Sequence, residues 1–114
     1  VSGDIYATGN VVAYSDVRAK ENIETIDNAL DKVSKLRGVY YTWKKGEKGA
    51  DKERKEGKRQ MGVIAQEILE VCPEVVIQET GDSDRYSVDY GKLTGILIEA
   101  VKDLKKEINE LKSN

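Results

Sequence analysis

A heptad stripe of apolar side chains near the end of the chain restricts its fold more than any other feature. From residue 90 to about 111 the pattern is helical, and the apolar residues recur at alternating spacings of four and three. Such a stripe is typical of a coiled-coil seam, with valine and isoleucine at the a positions and leucine at the d positions. Its members are Leu97, Val101, Leu104, Ile108 and Leu111.

The seam by itself leaves the number of helices open. β-Branched residues at a with leucine at d favour two strands. Glu107 and Lys112 stand in a g-to-e′ relation, which suits a salt bridge between chains. The alternative is that this helix packs on its own subunit.

The sequence as a whole is too polar for a large core within one subunit. Of its 114 residues, 35% are charged and 39% apolar, and phenylalanine is absent. Because small domains bury a limited fraction of their surface, we expect subunits to share apolar surface. The net charge of -2 argues against a general nucleic-acid binder. No apolar run could span a membrane and no signal peptide opens the sequence, so we expect a cytoplasmic origin.

Residues 1–14 have the pattern of a β-rich stem. Gly3-Asp4 and Gly9-Asn10 are turn signals around two short strands, at residues 5–8 and 11–14. A two-stranded unit of this size is marginal in water. We therefore expect these strands to pair with neighbouring chains; an ordinary hairpin packed on its own domain is the alternative.

The middle of the chain predicts a small α+β globular part. Residues 44–59 contain eight basic and four acidic residues and predict a flexible charged loop. The remaining predicted elements are a helix over 21–37 stopped by Gly38, strands at 39–43 and 60–64, a helix over 65–72 closed by Pro73, and a hairpin of 75–78 and 85–88 around Gly81-Asp82.

Ser15 and Lys20 lie five residues apart, where the stem-like pattern changes to a helical one. The chain has no histidine, so a Ser-His-Asp arrangement is impossible. A lysine can act as the base for a serine when burial or cationic neighbours lower its pKa, and Arg18 would help hold Lys20 neutral. The alternative is that Ser15 or Asp16 simply caps the start of a helix.

Four segments of the chain match, in order, the motifs of one family. They are Ser15-Asp16-x-Arg18-x-Lys20-x-Asn22-Ile23, then Leu36-x-Gly38-Val39-Tyr40-x-Thr42-Trp43, then Gly62-Val63-Ile64-Ala65-Gln66-Glu67 with Pro73-Glu74-Val75-Val76, and finally Val88-Asp89-Tyr90-x-Lys92-Leu93 with Leu97-Ile98-Glu99-Ala100-Val101-Lys102. They resemble the intramolecular chaperone domain at the C-terminus of phage tail spikes and tail fibres, the S74 peptidase family. The resemblance runs from Ser15 to about Leu111.

The resemblance implies a self-cleaving serine endopeptidase that acts once, with Ser15 and Lys20 as its Ser-Lys dyad. It places the cut between Ser15 and Asp16. Attack by a serine on its own carbonyl needs a strained four-membered ring, whereas attack on the Tyr14 carbonyl forms a five-membered one. A cut between Tyr14 and Ser15 therefore remains an alternative. If the serine of another subunit attacks the bond between Ser15 and Asp16, no strained ring is needed. Residues that could support the dyad are Arg18, Asn22, Gln66 and Glu67.

The resemblance also implies the organisation and partners of the chain. Residues 1–14 are the end of a β-stem, and residues 15–114 are the chaperone domain, with a flexible loop at 44–59 and a coiled-coil helix at 90–112. The chain forms a homotrimer, drives folding of the upstream β-stem of its own precursor, and then releases itself. The expected location is the host cell cytoplasm during assembly, with the parent protein in the virion tail.

We expect no metal, no resident cofactor, and neither nucleic acid nor membrane as partner. A nucleotide at the basic loop stays open, because some spike chaperones of this family are associated with one. The first rival function is a trimerisation and interaction module that never cuts. The second is the related self-cleaving domain of membrane-tethered eukaryotic transcription factors, which the glycine-punctuated stem disfavours. A hydrolase of external substrates is the third.

Overall fold

A computed structural model describes residues 5–47, 57–79 and 85–113 of the chain. The chain divides into two compact units. Unit 1 comprises Val1–Thr25 and Tyr40–Gln60, and unit 2 comprises Ile26–Val39 and Met61–Asn114. The turn predicted around Gly81-Asp82 and most of the loop predicted at 44–59 lie outside the described residues.

Short helices and strands lead into one long terminal helix, which is the α+β class that the sequence predicts. Single 3-10 turns lie at Val17–Ala19, Pro73–Val75 and Tyr90–Lys92. Within the described ranges, no helix combines the length and the apolar content needed to cross a membrane. The helices are α1 (Ala29–Ser34), α2 (Ala65–Val71) and α3 (Leu93–Lys112), and the strands are β1 (Val39–Tyr41), β2 (Gln60–Gly62), β3 (Val76–Gln78) and β4 (Tyr86–Val88).

The strands form two small sheets, β1 with β2 and β3 with β4. Both strands of the second predicted hairpin are confirmed, and they run antiparallel. The strands predicted at 39–43 and 60–64 are shorter than expected, ending at Tyr41 and Gly62. Alternation along β3 turns Val76 toward the core and leaves Ile77 exposed. The register pairs Val76 with Val88, Ile77 with Ser87 and Gln78 with Tyr86.

The core of unit 2 is small, as the composition predicts. The predicted second helix is confirmed as α2, and its Ile68 is only 1% exposed. Pro73, which cannot donate a backbone hydrogen bond, follows directly after its C-cap. Cys72 lies buried in the same cluster, where burial raises the pKa of its thiol, so it acts as a packing residue. The buried residues are Ala29, Ile68, Cys72, Val75, Ile96 and Ala100.

The helix α3 carries two apolar faces, which lie about 90° apart at 3.6 residues per turn. On one face Ile96 and Ala100 are buried in the core of unit 2, and α1 packs against α3. On the other face all five predicted seam residues are exposed, from 43% at Ile108 to 74% at Leu111. The predicted terminal helix is therefore confirmed. It packs in the core of unit 2 through Ile96 and Ala100, and its seam residues stay exposed.

The first predicted helix is much shorter than its apolar stripe suggests. The sequence predicts 21–37, but α1 spans six residues only. Asn22 and Asn28 have φ values of 55° and 50°, a left-handed conformation that cannot continue a right-handed helix. Ile23, an apolar residue within the predicted helix, is exposed as a result. At the other end α1 stops at Ser34, before Gly38 is reached.

The two short strands predicted in the stem-like segment are absent from the single chain. Residues 5–14 contain no strand, and all of them are exposed. Isolated strands are not stable because their backbone groups need a pairing partner to replace water. The large apolar side chains left exposed are Ile5, Tyr6, Val11, Val12 and Tyr14.

The start of α1 is capped by a residue of α3. Asn28 at the N-cap position makes no side-chain cap bond, and the carboxylate of Asp103 instead accepts a hydrogen bond from Leu30 N over 3.3 Å. Within α3, Glu99 and Glu107 lie four residues to either side of Asp103, a like-charge spacing that disfavours an isolated helix. The partial positive charge at the start of α1 offsets this repulsion. Asp103 therefore stabilises a neighbouring helix rather than its own.

Replacing Asp103 by alanine should lower the free energy of unfolding by about 1 kcal/mol, which is typical for loss of a cap. Asp103→Asn keeps an acceptor oxygen of the same size and should retain most of the stability. Urea unfolding of both variants at one fixed chain concentration measures the difference. Equal losses in the two variants would show that the capping bond contributes nothing.

Candidate functional site

A single 3-10 turn shapes the junction that follows the stem-like segment. The carboxylate of Asp16 accepts a hydrogen bond from Arg18 N over 2.8 Å and so caps the turn. Lys20 N donates to Val17 O over 3.1 Å and closes it. Lys20 itself returns to extended backbone. The predicted capping role of Asp16 is thus present in the structure, and it brings Lys20 close to Ser15.

The side chains of Ser15 and Lys20 contact each other directly. Lys20 Nζ donates a hydrogen bond to Ser15 Oγ over 2.7 Å. Both residues are exposed in the single chain. A neutral amine at this distance can accept the hydroxyl proton with little further movement, because proton transfer needs heavy atoms within about 2.6–3.2 Å. The arrangement is therefore able to activate a serine nucleophile once the amine is uncharged.

Arg18 is bound to Asp16. Its Nη2 lies 2.7 Å from Asp16 Oδ2 and its Nε 3.1 Å from Oδ1, a two-pronged ion pair. The side-chain bonds from Arg18, followed by its backbone N–H, hold the pKa of Asp16 below the usual range. The same pair raises the pKa of Arg18. Arg18, predicted to support the dyad, is therefore paired with Asp16, which compensates its positive charge.

The other predicted supporting residues have separate surroundings. Glu67, in the first turn of α2, accepts hydrogen bonds from Arg37 Nε over 2.9 Å and from Nη2 over 2.8 Å. The Arg37 guanidinium lowers the pKa of Glu67. Gln66 is exposed on α2, and Asn22 forms a left-handed bend two residues after Lys20. Glu67 thus joins α2 to the segment after α1.

Arg37 is a structural residue that the sequence analysis does not single out. No local pattern identifies its partner, because the two residues are 30 positions apart. Asp103 was also without a predicted role, although its two glutamate neighbours at spacing four are a sequence signal that it has a partner elsewhere.

The basic segment at 44–59 is described only at its two ends. There the Arg59 guanidinium lies 3.5 Å from the centre of the Tyr40 ring, a cation–π contact. Tyr41 and Trp43 form an edge-to-face pair with ring centres 5.1 Å apart. Among the described residues, no group of three or more acidic, cysteine or histidine side chains could hold a metal ion. A nucleotide at this segment stays a prediction.

The chain is similar to proteins of known family. A family model described as the chaperone of endosialidase, Peptidase S74, matches residues 15–77. The long tail fiber protein Gp37 of Enterobacteria phage K3 is 38% identical over 120 residues, which cover 98% of this chain and 9% of that protein. The corresponding protein of Enterobacteria phage M1 is 35% identical over 118 residues, 97% of this chain and 45% of that protein.

A eukaryotic protein is similar to the same region. Myelin regulatory factor homolog 1 of Caenorhabditis elegans is 33% identical over 119 residues, which cover 99% of this chain and 12% of that protein. In each of these matches the chain spans less than half of the relative, and only about a tenth of the phage K3 fibre.

Proposed function

We propose that this chain, which belongs to the Peptidase S74 family of endosialidase chaperones, assembles a phage fibre stem. After assembly it cuts itself away from the stem. Tail fibre proteins are its relatives over 97–98% of its length, which supports a role in fibre assembly. The main observation in support of cleavage is the 2.7 Å contact between Lys20 Nζ and Ser15 Oγ.

Assembly comes first in this proposal. The five exposed seam residues of α3 give three chains a common apolar surface to bury, and a homotrimeric coiled coil buries it. Trimer formation holds three copies of the residues 5–14 segment close together. A higher local concentration of strands offsets the entropy cost of pairing them. The exposed apolar side chains of that segment then find partners in neighbouring chains.

Cleavage follows assembly. Covering the junction removes water from Lys20, and burial disfavours the charged form of an amine. Neutral Lys20 takes the proton from Ser15 Oγ as the oxygen attacks a peptide carbonyl carbon. The C–N bond breaks, the leaving nitrogen receives the proton from Lys20, and an ester joins Ser15 Oγ to the acyl group. Water then hydrolyses this ester, and the stem stays folded behind its own unfolding barrier.

Two positions for the cut fit this chemistry. Within one chain, Ser15 Oγ reaches the Tyr14 carbonyl through a five-membered ring, which separates Tyr14 from Ser15. Between chains, Ser15 of one copy attacks the bond between Ser15 and Asp16 of its neighbour. In both cases the released domain contains the dyad lysine, and the event occurs once per chain.

The rival proposal is a trimerisation module that does not cut. Exposure of Ser15 and Lys20 in the single chain favours it, because their contact is then also consistent with an ordinary surface hydrogen bond. The parent protein in both proposals is a tail fibre or spike of the virion, assembled in the host cytoplasm.

The chaperone role is tested with a longer precursor that carries more of the upstream stem. With residues 15–114 present, we expect a soluble stem that resists protease digestion. A matched precursor that ends at Tyr14 should aggregate or be digested, because nothing then holds three strands together. A stem that becomes equally resistant without residues 15–114 would remove the chaperone role and leave the domain without an assembly function.

A further inference from the structure

Ile98 lies on α3 outside both the core face and the seam. Its side chain is 54% exposed, whereas Ile96, two residues earlier, is 4% exposed. At 100° per residue Ile98 is turned away from the core face and lies next to Leu97 and Val101 of the seam. The exposed apolar surface of α3 is therefore wider at its N-terminal end than a strict a/d stripe requires.

The heptad assignment gives Ile98 a defined neighbour. With Val101 at a and Leu104 at d, Ile98 is at e, and Leu93 is at the g position five residues before it. In a parallel coiled coil the g residue of one helix faces the e residue five positions further along the next helix. Leu93 is half-buried and packs on the core of its own unit, so one side of it remains accessible.

The same flank changes character along the helix. The first g–e′ pair is apolar, Leu93 with Ile98. The middle pair is Ala100 with Lys105, in which Ala100 is buried in the core of its own unit, and the last pair is ionic, Glu107 with Lys112. An antiparallel arrangement would place e beside e and bring lysines of two chains together, since Lys105 also occupies an e position. The opposite charges of Glu107 and Lys112 therefore favour parallel helices in register.

We infer that Ile98 of one copy packs on Leu93 of the next copy, at the base of the coiled coil, and that this contact forms an interface distinct from the a/d seam. The inference rests on the proposed assembly and specifies a second copy of this chain as the occupant. Continuity of Ile98 with the exposed seam and the complementary charges further along the flank support that choice. Because Leu93 belongs to the core of unit 2, each copy then stabilises the core of its neighbour.

Sedimentation of the full chain over a range of concentrations tests this contact with two matched variants. Ile98→Lys removes the apolar side chain at e, and Ile77→Lys does the same on the outward face of β3, where isoleucine is 51% exposed. We expect Ile98→Lys to raise the concentration at which the assembly dissociates about tenfold or more. Ile77→Lys should leave it within about twofold of wild type.

Two further results separate this inference from the proposed function. A wild-type chain that is monomeric at every concentration contradicts the assembly itself. An assembly that Leu104→Lys dissociates but Ile98→Lys leaves intact overturns only the Ile98–Leu93 contact. The helix content of Ile98→Lys, measured by circular dichroism on the dissociated chain, should equal that of wild type. Ile98→Leu should assemble like wild type, because it keeps an apolar side chain at e.

Discussion

A precursor carrying Ser15→Ala is expected to remain one full-length chain under denaturing conditions, while the wild-type precursor separates into stem and released domain. The alanine variant lacks the only atom in the turn that is both nucleophilic and in contact with Lys20 Nζ. It keeps the Asp16 cap and the Arg18 ion pair, since neither involves the Ser15 hydroxyl. Intact-mass measurement of both precursors after assembly reports the outcome.

The matched change at the base is Lys20→Arg. Arginine keeps the positive charge and can donate a hydrogen bond to Ser15 Oγ, but it does not lose its proton in proteins. General-base assistance contributes about 10²–10⁴-fold to a rate, so the variant should assemble normally and cut at least about a hundredfold more slowly. A variant that cuts at the wild-type rate would show that Lys20 is a structural partner of Ser15 and not its base.

The same mass measurement identifies the bond that is cut. A released fragment that begins with Ser15 shows that the Tyr14 carbonyl was attacked, and a fragment shorter by one serine shows that the bond between Ser15 and Asp16 was cut. An uncut wild-type precursor that is fully assembled would leave the trimerisation module as the function.

Leu104→Lys is expected to abolish assembly. Leu104 lies at a d position in the middle of the seam and is exposed in the single chain, so the core of unit 2 does not depend on it. Leu104 is 45% exposed in the single chain, so burying that part of three leucine side chains contributes about 2–4 kcal/mol to the proposed trimer. Their loss, before any cost of burying lysine charges, weakens association by about a hundredfold or more. Sedimentation at micromolar concentration should show a single chain.

The control for this variant is Asn109→Lys, which adds the same charge to the same helix at an exposed position outside the seam. It should assemble like wild type. Equal loss of assembly in both variants would mean that added charge, rather than loss of the seam, dissociates the chains. A longer precursor with Leu104→Lys should also stay uncut, because cleavage in this proposal depends on assembly.

Helices whose apolar residues follow a regular pattern were predictable from the sequence. The extent of α3 follows from its heptads, and α2 follows from an apolar run closed by Pro73. The helix predicted over 21–37 was wrong in length because two asparagines adopt left-handed backbone, which an apolar stripe does not reveal. The strands predicted at residues 5–8 and 11–14 are absent from the single chain, and their pairing with neighbouring chains stays a prediction.

Contacts across the turn at the junction were easier to predict than contacts across the fold. The meeting of Ser15 and Lys20 follows from a spacing of five residues across one turn. The pairing of Glu67 with Arg37 and the capping of Leu30 N by Asp103 join residues 30 and 73 positions apart. Such pairs depend on packing of whole elements, and no local pattern specifies them.

The small core of unit 2 also bears on the fate of the domain after release. Because only a few buried side chains surround Ile68, we expect the free energy of unfolding of unit 2 to be small. Proteases act on the open form, so under the proposed cleavage we expect the released fragment to be degraded once its copies separate. Host proteases would then remove the released domain, while the assembled stem would persist.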